Sequence, residues 1–344
     1  MSRHINIPIF VPHLGCPHQC SFCNQRSISG SQGFCLEEME KTIEQSLSTA
    51  ETDAEIEIAF FGGSFTGIER KLMIEILSRA SRYLKNGAVS SLRCSTRPDY
   101  INEEILSILK AYGMKTVELG IQSMSDAVLS ACHRGHTAKV SMRAAKLLVE
   151  RGFDFVGQMM IGLPAATPES ERETARAICS LGAVGARVYP TVVFRQTSLC
   201  EDAACGIYHP LSLQEAVNRA ADAVEIFRER KVSVLRVGLQ QTESLYKEEN
   251  FFAGPLHSAM GELVESEIYR RKLVSLLKKE VQKAPVLRIF VAKGCTSAVV
   301  GQHRSNTNYL CKMFGFTRVT VEESESLCKG DILIKTEERK RVCT

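Results

Sequence analysis

Residues 7–24 read IPIFVPHL followed by GCPHQCSFCN, and this stretch decides how the rest of the chain is read. Its first half is rich in β-branched and aromatic residues, as a buried strand requires. Its second half sets Cys16, Cys20 and Cys23 on one short loop with the spacing C-x3-C-x2-C. Three thiolates so placed can hold three irons of a cubane cluster and leave the fourth iron open. The same thiolates could form a closed structural zinc site if Cys35, His13 or His18 supplied a fourth ligand. The position of the loop favours the iron–sulfur reading, because ligands of parallel β/α proteins gather at the C-terminal ends of strands.

Outward from this loop, strand-like and helix-like segments alternate. Strand candidates are 7–14, 55–63, 92–96, 116–123, 153–164, 186–194 and 232–239. Helical patterns such as LEEMEKTIEQSL, KLMIEILSRASRYL and LQEAVNRAADAVEIFRER lie between them, several ending at glycine. Repeated β–α alternation predicts a parallel sheet. Seven strands without an eighth predict an α/β fold of the incomplete (β/α) barrel type, although a doubly wound open sheet has the same periodicity. We place this domain at 1–240. A linker and a helix packing on the barrel follow at 241–283, and a small basic β-α-β-β module at 284–344.

Composition excludes several classes. Hydrophobic residues make up 44% and charged residues 24% of the 344, as in an ordinary globular chain. The apolar runs are too short to span a bilayer, the N-terminus lacks a signal-peptide pattern, and cytoplasmic localisation is expected. Thirteen cysteines in such a chain read as reduced thiols. The net charge of +4 is unevenly spread: residues 256–344 hold 16 Lys and Arg against 10 Asp and Glu, so the excess lies wholly in the last quarter. That asymmetry suits a polyanionic partner or a merely solvated face.

One β/α unit after the cysteines comes Phe60-Phe61-Gly62-Gly63-Ser64-Phe65. Together with the cysteine spacing, this segment resembles the radical S-adenosylmethionine (SAM) superfamily. GGSF (62–65), TRPDY (96–100), ELGIQS (118–123), RGHT (134–137), MMIGLP (159–164) and VYPT (188–191) narrow the resemblance to the radical SAM domain of the Elongator catalytic subunit, which modifies tRNA wobble uridine. The resemblance covers roughly residues 16–211. It implies a [4Fe–4S] cluster on Cys16, Cys20 and Cys23, with SAM as the second cofactor. It also implies reductive SAM cleavage to a 5′-deoxyadenosyl radical, an external one-electron donor and an RNA substrate, tRNA first.

By the same resemblance, Gly62, Gly63 and Ser64 would hold the SAM amino group, Gln122 the ribose, and Arg134 the carboxylate, which a guanidinium fork suits. Arg97 joins the cofactor-binding set. Gln158 and Ser95 stand where many relatives carry acids. The chain is too short for the Elongator acetyltransferase domain, so acetyl transfer is not implied. A protein or small-metabolite substrate is one alternative. A zinc-stabilised RNA-binding protein without catalysis is another.

Downstream, His257 and Glu262 are the candidate substrate or proton-transfer groups near the barrel mouth. Glu262 and Glu265 share a helical face at i,i+3, and charge at a helix N-terminus explains them equally well. In the terminal module, Gly301-Gln302-His303-Arg304 between helical segments resembles the backbone-clamping loop of KH-type RNA modules, with Arg304 in place of the second glycine. Arg288, Lys312 and Arg318 would add phosphate contacts.

Overall fold

Apolar segments spaced by amphipathic helices build two compact units, Met1–Leu256 and His257–Thr344. The computed structural model describes residues 4–11, 20–23, 34–51, 54–240, 245, 247, 249–279 and 285–337. Cys16, His13 and His18 lie outside the described residues.

The first unit runs β1 (His4–Val11), α1 (Leu36–Ser48), β2 (Glu55–Gly62), α2 (Arg70–Lys85), β3 (Ser91–Thr96), α3 (Glu103–Ala111) and β4 (Met114–Gln122). It continues with α4 (Asp126–Ala131), α5 (Ala138–Glu150), β5 (Asp154–Ile161), α6 (Pro168–Ser180), β6 (Gly185–Pro190) and β7 (Val193–Phe194). It ends with α7 (Ser198–Ala204), α8 (Leu213–Glu229), β8 (Ser233–Val237) and β9 (Phe251–Ala253).

Seven strands form one sheet in the order β1-β2-β3-β4-β5-β6-β8, and every neighbouring pair is parallel. The order does not close on itself, as the incomplete barrel requires. The central strands are buried on both faces, with Ile58, Phe60, Val117, Leu119 and Phe155 fully enclosed, which is why they read as continuous apolar runs. Amphipathic helices cover the sheet and are capped locally. The Ser212 hydroxyl accepts from Glu215 N–H at 3.3 Å, while the Glu215 carboxylate accepts from Ser212 N–H at 2.9 Å. Because all seven strands point one way, their C-terminal ends, at Val11, Gly62, Thr96, Gln122, Ile161, Pro190 and Val237, lie on one rim.

The segment 186–194, read as one strand, divides at Pro190. β6 stays in the main sheet, and β7 pairs antiparallel with β9.

The second unit consists of α9 (Met260–Lys279), β10 (Val286–Val291), α10 (Thr296–Val300), α11 (Ser305–Phe314), β11 (Arg318–Glu323) and β12 (Ile332–Glu337). Its sheet has the order β11-β10-β12, with β11 parallel and β12 antiparallel to β10. Tyr269, Leu273 and Leu277 of α9 share a core with Leu287, Ile289 and Val291 of β10 and Leu310 of α11. The helix thus belongs to the C-terminal core.

Candidate active site

The rim of the parallel sheet collects the residues that the motifs single out. β2 ends at Gly62 with φ of 115°, and a Cβ there would lie 2.2 Å from the Val11 carbonyl oxygen. Only glycine fits this approach of two strand ends. Gly63 N–H donates to the same carbonyl at 3.3 Å. Ser64 turns inward, 2.8 Å from the Thr96 hydroxyl, and its Oγ accepts from Arg97 N–H at 3.1 Å. Thr66 and Thr96 hydroxyls meet at 2.6 Å. These hydroxyls join the glycine-rich segment to TRPDY. Phe60 and Phe65, on either side of the glycine pair in sequence, stack with ring centroids 4.7 Å apart.

Two guanidinium groups converge on Cys20. Arg134 donates from Nη1 to Cys20 Sγ at 3.4 Å and from Nη2 to the Gly120 carbonyl at 2.6 Å. Arg97 donates from Nη1 to the same sulfur at 3.9 Å and from Nη2 to the Arg134 carbonyl at 2.7 Å. Asp99 holds Arg97 through its Nε and Nη2 groups. Burial opposes ionisation of Asp99, but the Arg97 hydrogen bonds outweigh it and keep the carboxyl below its ordinary range. Cys23 N–H donates to the Cys20 carbonyl at 3.0 Å, and Ser21 N–H to the Cys132 carbonyl at 3.0 Å, so the described end of the cysteine loop is tied to α4.

Next to this centre, buried polar atoms stand without partners. Gln122, at the end of β4 with φ of 67°, leaves Oε1 unpaired, and Arg134 leaves Nε unpaired. A Cβ on Gly120 would lie 2.8 Å from Arg134 Nη2 and 3.0 Å from Gln122 Nε2, so the bare glycine lets the two side chains lie together. His136 Nε2 is a third orphan, and burial, reinforced by the Arg134 charge, pulls its imidazole down to about 4, so the ring is neutral. Buried polar atoms normally find partners. A guanidinium donor beside Cys20 fits a carboxylate, and the amide acceptor next to it fits a sugar hydroxyl. The residues present therefore suit SAM at an open iron.

Ser95 and Gln158 are differently engaged. Both donate to Glu118 Oε2, at 3.4 and 2.9 Å. Glu118 is fully buried and also accepts from Arg93 Nη1 at 2.8 Å and Arg187 Nε at 2.8 Å. Arg93 in turn donates to Glu57 at 2.7 Å. Burial works against the Glu118 charge, but Arg187 and Arg93 prevail and hold its carboxyl below the ordinary glutamate range. The sequence reading missed this network. Its signal was available as an acid or arginine set inside each apolar strand, in EIEIAFF, LRCST, TVELG and ARVYP.

His257 and Glu262 belong to the C-terminal unit. His257 Nδ1 accepts from Ala259 N–H at 3.0 Å. Glu262 and Glu265 both line one cavity in that unit. Among the described residues, no helix is long and apolar enough to cross a membrane.

Comparisons with known proteins bear on this site. The family model of the Radical SAM superfamily matches residues 10–178, and that of the Radical_SAM C-terminal domain matches residues 183–270. An uncharacterized protein of Methanocaldococcus jannaschii is 28% identical over 64% of this chain and 70% of its own length. The tRNA uridine(34) acetyltransferase of the same organism is 27% identical over 51% of this chain, which spans only 36% of that enzyme. The solved archaeal Elp3 of Methanocaldococcus infernus aligns with a TM-score of 0.63 at 21% identity, covering 79% of this chain and 64% of that one. That likeness speaks for the fold. With both family models matched in succession along most of its length, and with a rim that suits the ligands, the chain belongs to the radical SAM superfamily, and its cofactors are the [4Fe–4S] cluster and S-adenosylmethionine.

Proposed function

We propose that this enzyme cleaves SAM reductively at a cluster held by Cys16, Cys20 and Cys23, and that it acts on RNA, with tRNA the leading substrate. The observation that carries the first part is the pair of orphaned polar atoms, Gln122 Oε1 and Arg134 Nε, buried beside Cys20. When bound, cluster and SAM supply a 5′-deoxyadenosyl radical, given one electron from an external donor.

The chain's own part is to bind, orient and exclude water. Arg134 offers a donor to the SAM carboxylate and Gln122 an acceptor to its ribose, and Gly62 and Gly63 offer backbone to the amino group at close approach. Arg97, fixed by Asp99, holds the Arg134 backbone in place. The Ser64, Thr66 and Thr96 hydroxyls satisfy one another and keep the glycine segment in register. Stacked and buried, Phe60 and Phe65 keep the surroundings of the glycine segment apolar.

The RNA reading draws on the relatives that act on tRNA uridine and on the basic excess after residue 256. Acetyl transfer is not proposed, because this chain spans about a third of the acetyltransferase.

The test is anaerobic. The protein is reconstituted with iron and sulfide, given SAM and a strong reductant, and assayed for 5′-deoxyadenosine, with Cys20→Ala as control. Product from the wild type alone is expected. A stoichiometric zinc content with no acid-labile sulfide after aerobic and anaerobic purification would instead favour the zinc-stabilised RNA-binding protein. RNA that leaves both SAM turnover and its own nucleoside composition unchanged would turn the search to a protein or metabolite substrate.

A further inference from the structure

A cavity of about 670 Å³ lies within the C-terminal unit. Helix α9 contributes Glu262, Glu265 and Tyr269 to its wall; the turn 301–304 contributes Gly301 and Arg304; Lys329 comes from the segment before β12. We propose that this cavity is a binding site for one ribonucleotide of a single-stranded RNA, with a phosphate on the turn and the ribose against α9.

The turn has an unusual backbone. Gly301 has φ of 77°, and His303 and Arg304 follow with φ of 50° and 61°. Two successive non-glycine residues in the left-handed region are rare, and such backbone collects at functional sites. A Cβ on Gly301 would lie 2.4 Å from Ser305 Oγ and 3.0 Å from Asn306 N, so the turn is pressed against the start of α11. Helix α11 has ten residues, and its N-cap, Arg304, provides no side-chain acceptor. Asn306 cannot serve, because its amide donates to the Ser266 carbonyl at 2.8 Å and the Ser266 hydroxyl at 3.0 Å. The positive end of α11 therefore lacks a side-chain cap where Arg304 lines the cavity. Uncapped amides, helix dipole and guanidinium together suit a phosphate.

Tyr269 points independently to a ligand. It is 2% exposed, and its hydroxyl lies beside Cys295 and Gly330 but makes no hydrogen bond of good geometry with either. Leaving a buried hydroxyl unpaired is unfavourable, and a ligand hydroxyl in the cavity would remove that cost. Glu262 and Glu265 also shape the choice of ligand. Two carboxylates oppose a densely anionic guest such as polyphosphate, but they accept well from sugar hydroxyls and exocyclic amines. A guest with one anionic end and one donor-rich end satisfies both walls. A ribonucleotide within a chain is such a guest, and its 2′-hydroxyl separates it from DNA.

The inference rests on the RNA reading above, and the experiment separates the two. Fluorescence anisotropy measures binding of a short single-stranded RNA of mixed sequence, and of DNA of the same sequence, to the full-length protein. The variants are Arg304→Glu, Tyr269→Phe and, as a charge control at the other end of α9, Lys278→Glu. Arg304→Glu is expected to weaken RNA binding at least about tenfold, and Lys278→Glu far less. Tyr269→Phe keeps the packing, so its thermal midpoint should hold or rise while the preference for RNA over DNA falls. RNA binding by the wild type that both cavity variants retain would overturn the cavity and leave the RNA reading intact. No RNA binding by a wild type that cleaves SAM would overturn both. Equal loss in Arg304→Glu and Lys278→Glu, with the RNA preference of Tyr269→Phe unchanged, would reduce the site to general surface charge and overturn the proposal.

Discussion

At the scale of single residues, Gly120 controls the site without offering a functional group. Its missing Cβ leaves the space in which Arg134 Nη2 and Gln122 Nε2 lie side by side, while its carbonyl anchors Arg134. Gly120→Ala would put a methyl group 2.8 Å from one and 3.0 Å from the other. Neither side chain can retreat freely, since Arg134 is held by the Cys20 sulfur and Gln122 ends a buried strand. We expect SAM affinity, measured by equilibrium dialysis on the reconstituted protein, to fall by about tenfold, equivalent to about 1.4 kcal/mol. Iron and sulfide content should remain unchanged, because the cysteine loop is not displaced. Unaltered SAM affinity would mean that the pair can repack and does not grip the cofactor as drawn.

At the scale of elements, Glu118 ties four strands through buried charge. It lies on β4 and accepts from Arg93 on β3, Gln158 on β5 and Arg187 on β6. The network balances two acids, Glu57 and Glu118, against two arginines. Removing one partner leaves a buried charge uncompensated, which costs about 3–5 kcal/mol. Glu118→Gln should therefore lower the unfolding free energy from a urea titration by an amount of that order, through a lower midpoint with little change in slope. A loss below about 1 kcal/mol would show that water or Phe61, over whose ring Arg187 sits at 5.6 Å, carries the burden instead. The sign with pH follows from the depressed carboxyl of Glu118. Its contribution is fully present above the unfolded glutamate value and is lost as pH falls through the lower folded value, so neutral solutions hold it intact.

These elements also mark what a sequence can tell. The seven strands were legible because each is an apolar run bounded by turn residues. The gathering of GGSF, TRPDY and ELGIQS on one rim was legible because each follows or ends an apolar run. The charge network was not, since Glu57, Arg93, Glu118 and Arg187 find each other only across the sheet. Nor was the split at Pro190, because the antiparallel partner of β7 lies more than fifty residues away, at Phe251–Ala253. The C-terminal cavity depends on a turn pressed against a helix that is distant in sequence, so the paired glutamates could be seen but not their purpose.

For the whole molecule, the question is whether the uneven charge does anything. The first 255 residues carry 27 basic and 29 acidic side chains, and the rest carry 16 and 10. If that excess only keeps the surface solvated, RNA affinity should be weak and nearly indifferent to salt concentration. If it meets phosphates, each contact releases counterions, and the logarithm of affinity falls with the logarithm of salt by about 0.7 per phosphate for a single strand. Three or four contacts, a modest use of the sixteen basic groups, give a slope of about −2 to −3 and a loss of more than about tenfold between roughly 50 and 200 mM salt. We expect that slope for the wild type. Arg304→Glu should show a shallower slope by about one contact, because Arg304 is assigned a phosphate. Tyr269→Phe should weaken binding with the slope unchanged, because its hydroxyl meets a sugar rather than a charge. Parallel lines for all three proteins would separate affinity from the cavity's cations. A steep wild-type slope with a shallower Arg304→Glu line would locate one phosphate at the positive end of α11.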